Sequence, residues 1–184
     1  MRTVTIFGAA FSTFMRVLVM SIACLMISLF IFSATSSTIV RLLVQIACLV
    51  LTMSLVYPTF HHMGEVDRNL VDVGQKKRNM LKGLYIGILA NVPFIISGIL
   101  LVVAHFGFLP QKYYGIYKLI NSIFYAFNSS ILPSDETVLS ISTGAISLTL
   151  LTFIFVPIVA MFGYMLGFNR FLFKEVVFYK NKEL

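Results

Sequence analysis

The sequence has 184 residues, of which 59% are hydrophobic and only 11% charged. In soluble domains about a quarter of the residues are charged, so this composition excludes an ordinary soluble protein and indicates lipid surroundings. Lys and Arg number 14 against 7 Asp and Glu, a formal net charge of +7. At about 20 apolar residues per crossing, the chain has length for about four to six spans and no separate soluble domain.

Charge-free stretches predict where the chain crosses a membrane, because an ionised side chain at the bilayer centre costs about 3 kcal/mol. Trimmed of polar residues, they give spans near 17–34, 42–57, 83–104 and 144–168. We therefore expect an all-α integral membrane protein in which residues 1–184 form a single membrane domain with four transmembrane helices.

The distribution of Lys and Arg predicts the orientation of these helices. Two precede the first span, five lie in loop 60–82 and four follow residue 169, whereas the alternate segments hold only Arg41, Lys112 and Lys118. Cytoplasmic segments are the Lys- and Arg-rich ones, so both termini and the cytoplasmic loop 60–82 are expected inside. Membrane topology and attraction to anionic lipid are sufficient to explain the net positive charge. We therefore predict no nucleic-acid partner.

The segment between the third and fourth predicted spans carries an apolar stripe with helical spacing. Its members are Tyr113, Ile116, Tyr117, Ile120, Ile123, Phe124 and Phe127. Three- and four-residue steps predict one helical face, with Lys118, Asn121 and Ser122 on the opposite one. We expect an amphipathic helix over about 112–130 in the outer interface. A re-entrant segment is the alternative.

A similar stripe precedes the first span. It comprises Val4, Phe7, Phe11, Phe14 and Leu18. The pattern fits either a separate interfacial helix over 3–16 or one long helix continuous with the first span, in which Arg16 reaches back to the membrane surface. The sequence leaves both open.

Two pairs of glycines have the spacing that lets helix backbones approach closely. Gly83 and Gly87 open the third span, and Gly163 and Gly167 close the fourth. Under the predicted topology both pairs lie in the cytoplasmic leaflet, so they are candidates for packing against each other. Contact between two copies of the chain is the alternative.

Asn91, Pro93 and Pro157 interrupt the third and fourth spans. A proline frees a carbonyl that must be satisfied or must line a cavity, and transporters use such breaks to bind substrate. The plainer interpretation is a kink satisfied by neighbouring helices. Every Asp and Glu is predicted to lie in a loop or tail, which argues against a proton- or sodium-coupled mechanism.

The sequence contains no pattern typical of a catalytic, cofactor or metal site. His61, His62, Glu65 and Asp67 have spacings found in metal sites, but Gly64 is expected to break the helix that would align them. We therefore predict no catalytic residues, no cofactor and no metal, and a protein that is not an enzyme.

Loop 60–82 is the richest polar segment and the best candidate for a contact surface. Val66 and Leu70 share a helical stripe, and Asp67, Arg68 and Asp72 surround it, followed by a basic cluster over 76–78. These five residues are candidates for partner docking through a short amphipathic helix. The alternative is that the segment folds back on the bundle.

Four runs, DRNLVDVGQKKRNMLKGLYIGILANVPF, YKLINSIFY, LPSD and PIVAMFGYMLGF, resemble uncharacterised small multi-pass membrane proteins of low-GC Gram-positive bacteria. The resemblance implies a bacterial plasma membrane and transfers no site residues.

For function, we expect a non-catalytic accessory or transport-associated subunit whose partners are the lipid bilayer and a membrane or cytoplasmic protein. A self-sufficient small substrate-binding or translocating membrane protein is the alternative. A membrane enzyme acting on lipid is third.

Overall fold

The computed structural model describes residues 5–35, 37–110, 112–131 and 138–169, and the regular elements within these ranges are helical. Four helical units are long and apolar enough to cross a membrane: Ile6–Ala34, Thr38–Asp72, Lys82–His105 and Thr143–Phe168. The predicted all-α fold with four helices long and apolar enough to cross a membrane is thereby confirmed for the described residues. The basic residues before residue 5 and after residue 169 lie outside the described ranges.

Helix α1 (Ile6–Ala34) runs without interruption through the N-terminal stripe and the first predicted span. Thr5 caps it, since its Oγ1 accepts a hydrogen bond from the Gly8 backbone N–H at 3.2 Å. Of the two arrangements that the sequence left open, the structure has the single long helix. Arg16, on the surface of α1, donates to Thr59 Oγ1 at 2.5 Å.

Helix α2 (Thr38–Asp72) has 35 residues, a length of about 52 Å that exceeds the roughly 30 Å hydrocarbon core of a bilayer. It extends through the first half of the predicted loop 60–82. The expectation that Gly64 breaks this helix is wrong. A Cβ atom at Gly64 would collide with the backbone of Tyr164 and Phe168, so this glycine permits close helix packing.

Helix α3 (Lys82–His105) follows a short connection, 73–81, in which Gly74 has a positive φ of 73°. We call the end of the bundle at this connection the basic end. The fourth long unit comprises α6 (Thr143–Leu150), a 3₁₀ turn at Leu151–Ile154 and α7 (Phe155–Phe168). Helix α7 packs most extensively against α2 and α3, so it is the central helix at the basic end.

The segment predicted as one amphipathic helix over 112–130 consists of three short pieces. They are α4 (Tyr113–Ile120), a 3₁₀ turn at Ser122–Phe124 and α5 (Tyr125–Ile131).

The polar residues of this segment face the protein. Lys118, Asn121 and Ser122 are buried, whereas Ile116 and Leu119 are each 52% exposed. The turn and the two helices pack against α1, α2 and α3. The polar side therefore meets neighbouring helices, and part of the apolar stripe, including Ile116, faces outward while Tyr117 and Ile123 are buried.

Candidate functional site: a buried ion cluster and a polar junction

Polar side chains gather at two places in the described part of the chain. One group lies at the basic end around Asp67, and we call Asp67, Lys76, Lys82 and Tyr164 the Asp67 cluster. The other lies near the middle of the helices, where the turn at Ser122–Phe124 approaches the turn at Leu151–Ile154.

Asp67 is only 4% exposed and accepts three hydrogen bonds. Its Oδ1 accepts from Lys76 Nζ at 2.6 Å. Its Oδ2 accepts from Lys82 Nζ at 2.7 Å and from the Tyr164 hydroxyl at 2.8 Å. A buried carboxylate is tolerated only when it is paired. Its three donors come from the 73–81 connection, α3 and α7, so the cluster joins these elements to α2.

Lys76 is the more exposed of the two lysines in the Asp67 cluster, and its ammonium group stays charged at neutral pH. Burial by itself lowers the pKa of Lys76, but the hydrogen bond to Asp67 leaves that pKa above its ordinary value. Lys76 is therefore a permanent cation under physiological conditions and holds the connection against α2.

The residues predicted to dock a partner differ in how deeply their side chains are buried. Asp67 belongs to the interior of the basic end and presents no surface, while Val66 and Leu70 are half-buried. Arg68 and Asp72 are partly exposed and pair with each other at 2.9 Å between Nε and Oδ1.

The connection folds back on the bundle rather than projecting from it. The guanidinium groups of Arg68 and Arg78 lie 5.6 and 5.8 Å from the centre of the Phe168 ring. The contact of Arg78 and the ion pair between Lys76 and Asp67 hold the 73–81 connection over the end of α7, while Arg68 makes its contact from α2. Of the two arrangements left open for this loop, the structure has the folded-back one.

The glycines of the first pair lie between α3 and α7. A Cβ atom at Gly83 would lie 2.5 Å from Tyr164 Cβ and 2.6 Å from the Ala160 carbonyl oxygen. At Gly87 it would lie 2.8 Å from Pro157 Cα. Both positions therefore require glycine for the backbones to approach.

The glycines of the second pair lie between α7 and α2. A Cβ atom at Gly163 would lie 3.0 Å from the Tyr57 carbonyl oxygen, and one at Gly167 would collide with the backbone of His61. The two pairs thus contact different helices, with α7 held between α2 and α3.

Asn91 satisfies a carbonyl that Pro157 frees. Pro157 has no N–H to bond the carbonyl four residues earlier, which belongs to Phe153. Asn91 Nδ2 donates to this Phe153 oxygen at 2.7 Å. A neighbouring helix therefore satisfies the kink, and the same contact places a buried amide beside the interruption.

The Ser122–Phe124 turn is held by polar contacts with α1 and α3. Asn121 Nδ2 donates to Ser97 Oγ at 3.2 Å and to the Tyr117 carbonyl at 3.2 Å. The Ser122 hydroxyl donates to the Ser21 carbonyl at 2.6 Å.

Helix α2 holds the same turn through both ends of one amide. Gln45 Nε2 donates to the Ile123 carbonyl at 3.0 Å, and Gln45 Oε1 accepts from the Phe127 N–H at 3.1 Å. Sequence reasoning missed Gln45, Ser97 and Ser21, because an isolated Gln or Ser within an apolar span has no local pattern to reveal its partner.

A small cavity of about 20 Å³ lies between the two turns, and we call it the junction cavity. It is lined by Val17, Ser21, Asn91, Phe94, Asn121, Ile123, Phe124, Thr152, Phe153 and Val156. Ser21 is 4% exposed, and its hydroxyl has no hydrogen-bond partner. A cavity of this size holds about one water molecule.

We expect Lys118 to make the stability of the protein depend on pH. Lys118 is 5% exposed, and its Nζ lies 4.4 Å from the centre of the Tyr114 ring. Burial lowers the pKa of Lys118 from 10.5 to about 8. Between these values the unfolded chain binds more protons, so stability should rise as pH rises through this window. Thermal unfolding in detergent measures the change.

The matched control for this effect is an exposed lysine in the same segment. Lys118→Met should flatten the rise in melting temperature between pH 8 and pH 10.5, while Lys112→Met should keep it. An unchanged rise in Lys118→Met would show that another group causes the pH dependence.

The described part of the chain is all-helical, with four helices long and apolar enough to cross a membrane, and two interrupted segments meet at a small cavity with a mainly apolar lining. No known family, curated protein or solved structure matches the chain.

Proposed function

We propose that this chain is a small membrane protein that binds a small polar solute or ion at the junction cavity and moves it across the bilayer. The observation that carries the proposal is the meeting of two helix interruptions at a small cavity whose mainly apolar lining includes the polar side chains of Ser21, Asn91, Asn121 and Thr152. In transporters, substrate and ion sites lie near the bilayer midplane, where discontinuous helices leave backbone groups free. Ser21 lies near the middle of α1, consistent with such a depth.

The proposal includes an orientation in the plasma membrane of a bacterium, with the basic end and both termini in the cytoplasm. The excess of Lys and Arg in the inner segments supports it.

Segment 112–131 then enters the bilayer from the outer side and returns. Its polar partners Ser97 and Ser21 lie about 12 and 20 Å along their helices from the outer ends of α3 and α1. The proposal therefore has a re-entrant segment instead of an interfacial helix. Non-helical backbone at such depth must be buried in protein or line a cavity.

The chemistry of the junction favours binding over catalysis. Its polar side chains are the amides of Asn91 and Asn121 and the hydroxyls of Ser21 and Thr152. Amides and aliphatic hydroxyls do not ionise near neutral pH, so by themselves they supply neither a general acid nor a general base. We therefore propose a non-enzymatic role.

An accessory subunit of a membrane complex is the second candidate. It is favoured by the small volume of the junction cavity and by the basic end of the bundle, where Arg68 and Asp72 are partly exposed on α2. A membrane or cytoplasmic protein is the partner that such a surface suits.

The test is flux through the purified chain alone. Wild-type protein in liposomes should pass small solutes or ions faster than empty liposomes. Asn91→Ala should abolish the flux, because it removes the amide that satisfies Phe153. Asn79→Ala, in the exposed connection at the basic end, should retain it.

Mild-detergent purification separates the two candidates. An inactive chain that elutes with another membrane protein at a fixed ratio would overturn the self-sufficient proposal in favour of the accessory subunit.

A further inference from the structure

The basic end of the bundle carries positive charge that the protein does not neutralise. Residues 66–82 contain five Lys or Arg and two Asp. Both aspartates are engaged within the bundle, one in the Asp67 cluster and the other with Arg68. No carboxylate of the described residues pairs with Lys77 or Arg78, and both of these side chains are exposed. We call Arg68, Lys77 and Arg78 the basic patch.

Two members of the basic patch converge on one aromatic ring. The guanidinium groups of Arg68 and Arg78 both lie within 6 Å of the centre of the Phe168 ring, at 5.6 and 5.8 Å. Phe168 is 1% exposed, so the ring is a fixed support. Guanidinium groups present pairs of N–H donors that match the oxygens of a phosphate group. An anion at the patch would also relieve the repulsion between the two like charges.

The depth of the basic patch follows from the packing of α1 against α2. Arg16 of α1 donates to Thr59 of α2, so these residues share one level, and the two helices run in opposite directions. Phe7 and Arg68 each lie nine residues, about 14 Å, beyond that level toward the basic end. Phe7 is 78% exposed. Because such an apolar side chain is favoured in a membrane interface over water, the basic patch lies at the level of lipid headgroups.

An exposed apolar stripe on α3 begins beside the patch. Its members are between 39% and 57% exposed and recur at steps of three or four residues, which places them on one helical face. They are Leu81, Tyr85, Ile88, Val92, Ile96 and Ile99. The stripe starts three residues after Arg78, so unneutralised charge and a lipid-facing surface adjoin each other.

We propose that the basic patch is a binding site for an anionic phospholipid, with the lipid phosphate held by Arg68, Lys77 and Arg78 and the acyl chains lying along the α3 stripe. Charge complementarity selects an anion, and the adjoining stripe favours a lipid over a soluble phosphate. Basic sites beside transmembrane helices bind anionic headgroups in this way. The inference is independent of the proposed function, since a carrier and an accessory subunit could both hold such a lipid.

The lipid composition around α3 tests the site. The chain has no tryptophan, so Tyr85→Trp introduces a single indole in the stripe, and Phe106→Trp introduces a matched one at the opposite end of α3. Each variant is reconstituted in mixed phosphatidylglycerol and phosphatidylcholine vesicles in which one lipid carries brominated acyl chains that quench indole fluorescence. Phosphatidylglycerol should be enriched at position 85 at least about fivefold over the bulk mixture, the effect of one Lys or Arg at an anionic surface. We expect no enrichment at position 106.

Substitutions in the 73–81 connection locate the headgroup. In the Tyr85→Trp background, Lys77→Gln with Arg78→Gln should abolish the enrichment. Lys77→Gln alone should reduce it, and Lys77 makes no contact in the described part of the chain whose loss could unfold the protein. Gln75→Ala, an exposed and uncharged position of the same connection, should leave the enrichment unchanged. Full enrichment in the double variant would place the lipid elsewhere and overturn the assignment.

Two further outcomes would reject the lipid. If inorganic phosphate displaced phosphatidylglycerol from position 85 more effectively than chloride at equal ionic strength, the patch would be a site for a soluble anion. If the two lipids quenched position 85 in proportion to their bulk amounts, the patch would bind neither headgroup selectively and would be left to a protein partner.

Discussion

Asp67→Ala should lower the free energy of unfolding by about 3–5 kcal/mol, because it leaves the buried Lys82 ammonium without its counter-charge. Lys82 is 7% exposed, so water does not replace the lost carboxylate. The substitution also removes the acceptor of the Tyr164 hydroxyl. Thermal unfolding in detergent measures the loss as a fall in melting temperature.

The matched control for this prediction is one helical turn away. Asp72→Ala breaks the partly exposed pair with Arg68, which is worth about 0–1 kcal/mol. A double variant, Asp67→Leu with Lys82→Met, should recover most of the loss, because it removes both buried charges together. If Asp67→Ala and Asp72→Ala had equal effects, the cluster would contribute no more than a surface ion pair.

Gly167→Ala should destabilise the protein by about 3 kcal/mol or prevent folding, since overpacking at an unyielding contact costs about 1–3 kcal/mol or more. The added Cβ atom meets the backbone of His61, which cannot rotate away as a side chain can. Gly83→Ala should act similarly, through Tyr164 and Ala160. Yield of folded protein and melting temperature in detergent are the measurements.

Gly144→Ala is the control, and for this variant no loss of stability is expected. Gly144 lies in α6, and a Cβ atom there meets nothing within 4 Å. Alanine is about 1 kcal/mol more favourable than glycine inside a helix, so this variant should be neutral or slightly stabilising. Equal losses at Gly144 and Gly167 would mean that the penalty does not arise from helix contact.

The positions of the long helices could be predicted because they depend on a local property. A span needs an uninterrupted apolar stretch, and the charge-free runs located all four helical units. Their ends were less predictable. Helix α2 extends to Asp72 because charges are permitted in a helix once it leaves the apolar zone or finds partners, as Asp67 does with Lys76 and Lys82.

The amphipathic pattern over 112–130 predicted helical structure but not which side faces the protein. A polar stripe has the same periodicity whether it meets water or buried polar groups. Asn121 and Ser122 meet Ser97 and the Ser21 carbonyl, on helices far away in the sequence, so only the packed structure could reveal their environment.

The candidate site was predicted in parts. Asn91 and Pro157 were recognisable because an amide and a proline are unusual in apolar spans, and Gly83 and Gly167 were recognisable by their spacing. Their partners were not: Asn91 meets Phe153, and Gly167 meets His61. These pairings depend on the order of helices around α7, about which local periodicity carries no information.

The sequence by itself determined the helical class, the number of long apolar helices and the positions at which they are weakened, because hydropathy and backbone chemistry act within one segment. Only the tertiary structure decided that Asp67 is an interior ion, that the two glycine pairs contact different neighbours, and that two interruptions share one cavity. Each of these depends on residues brought together from separate helices, and the free energy of such contacts arises only once the bundle is packed.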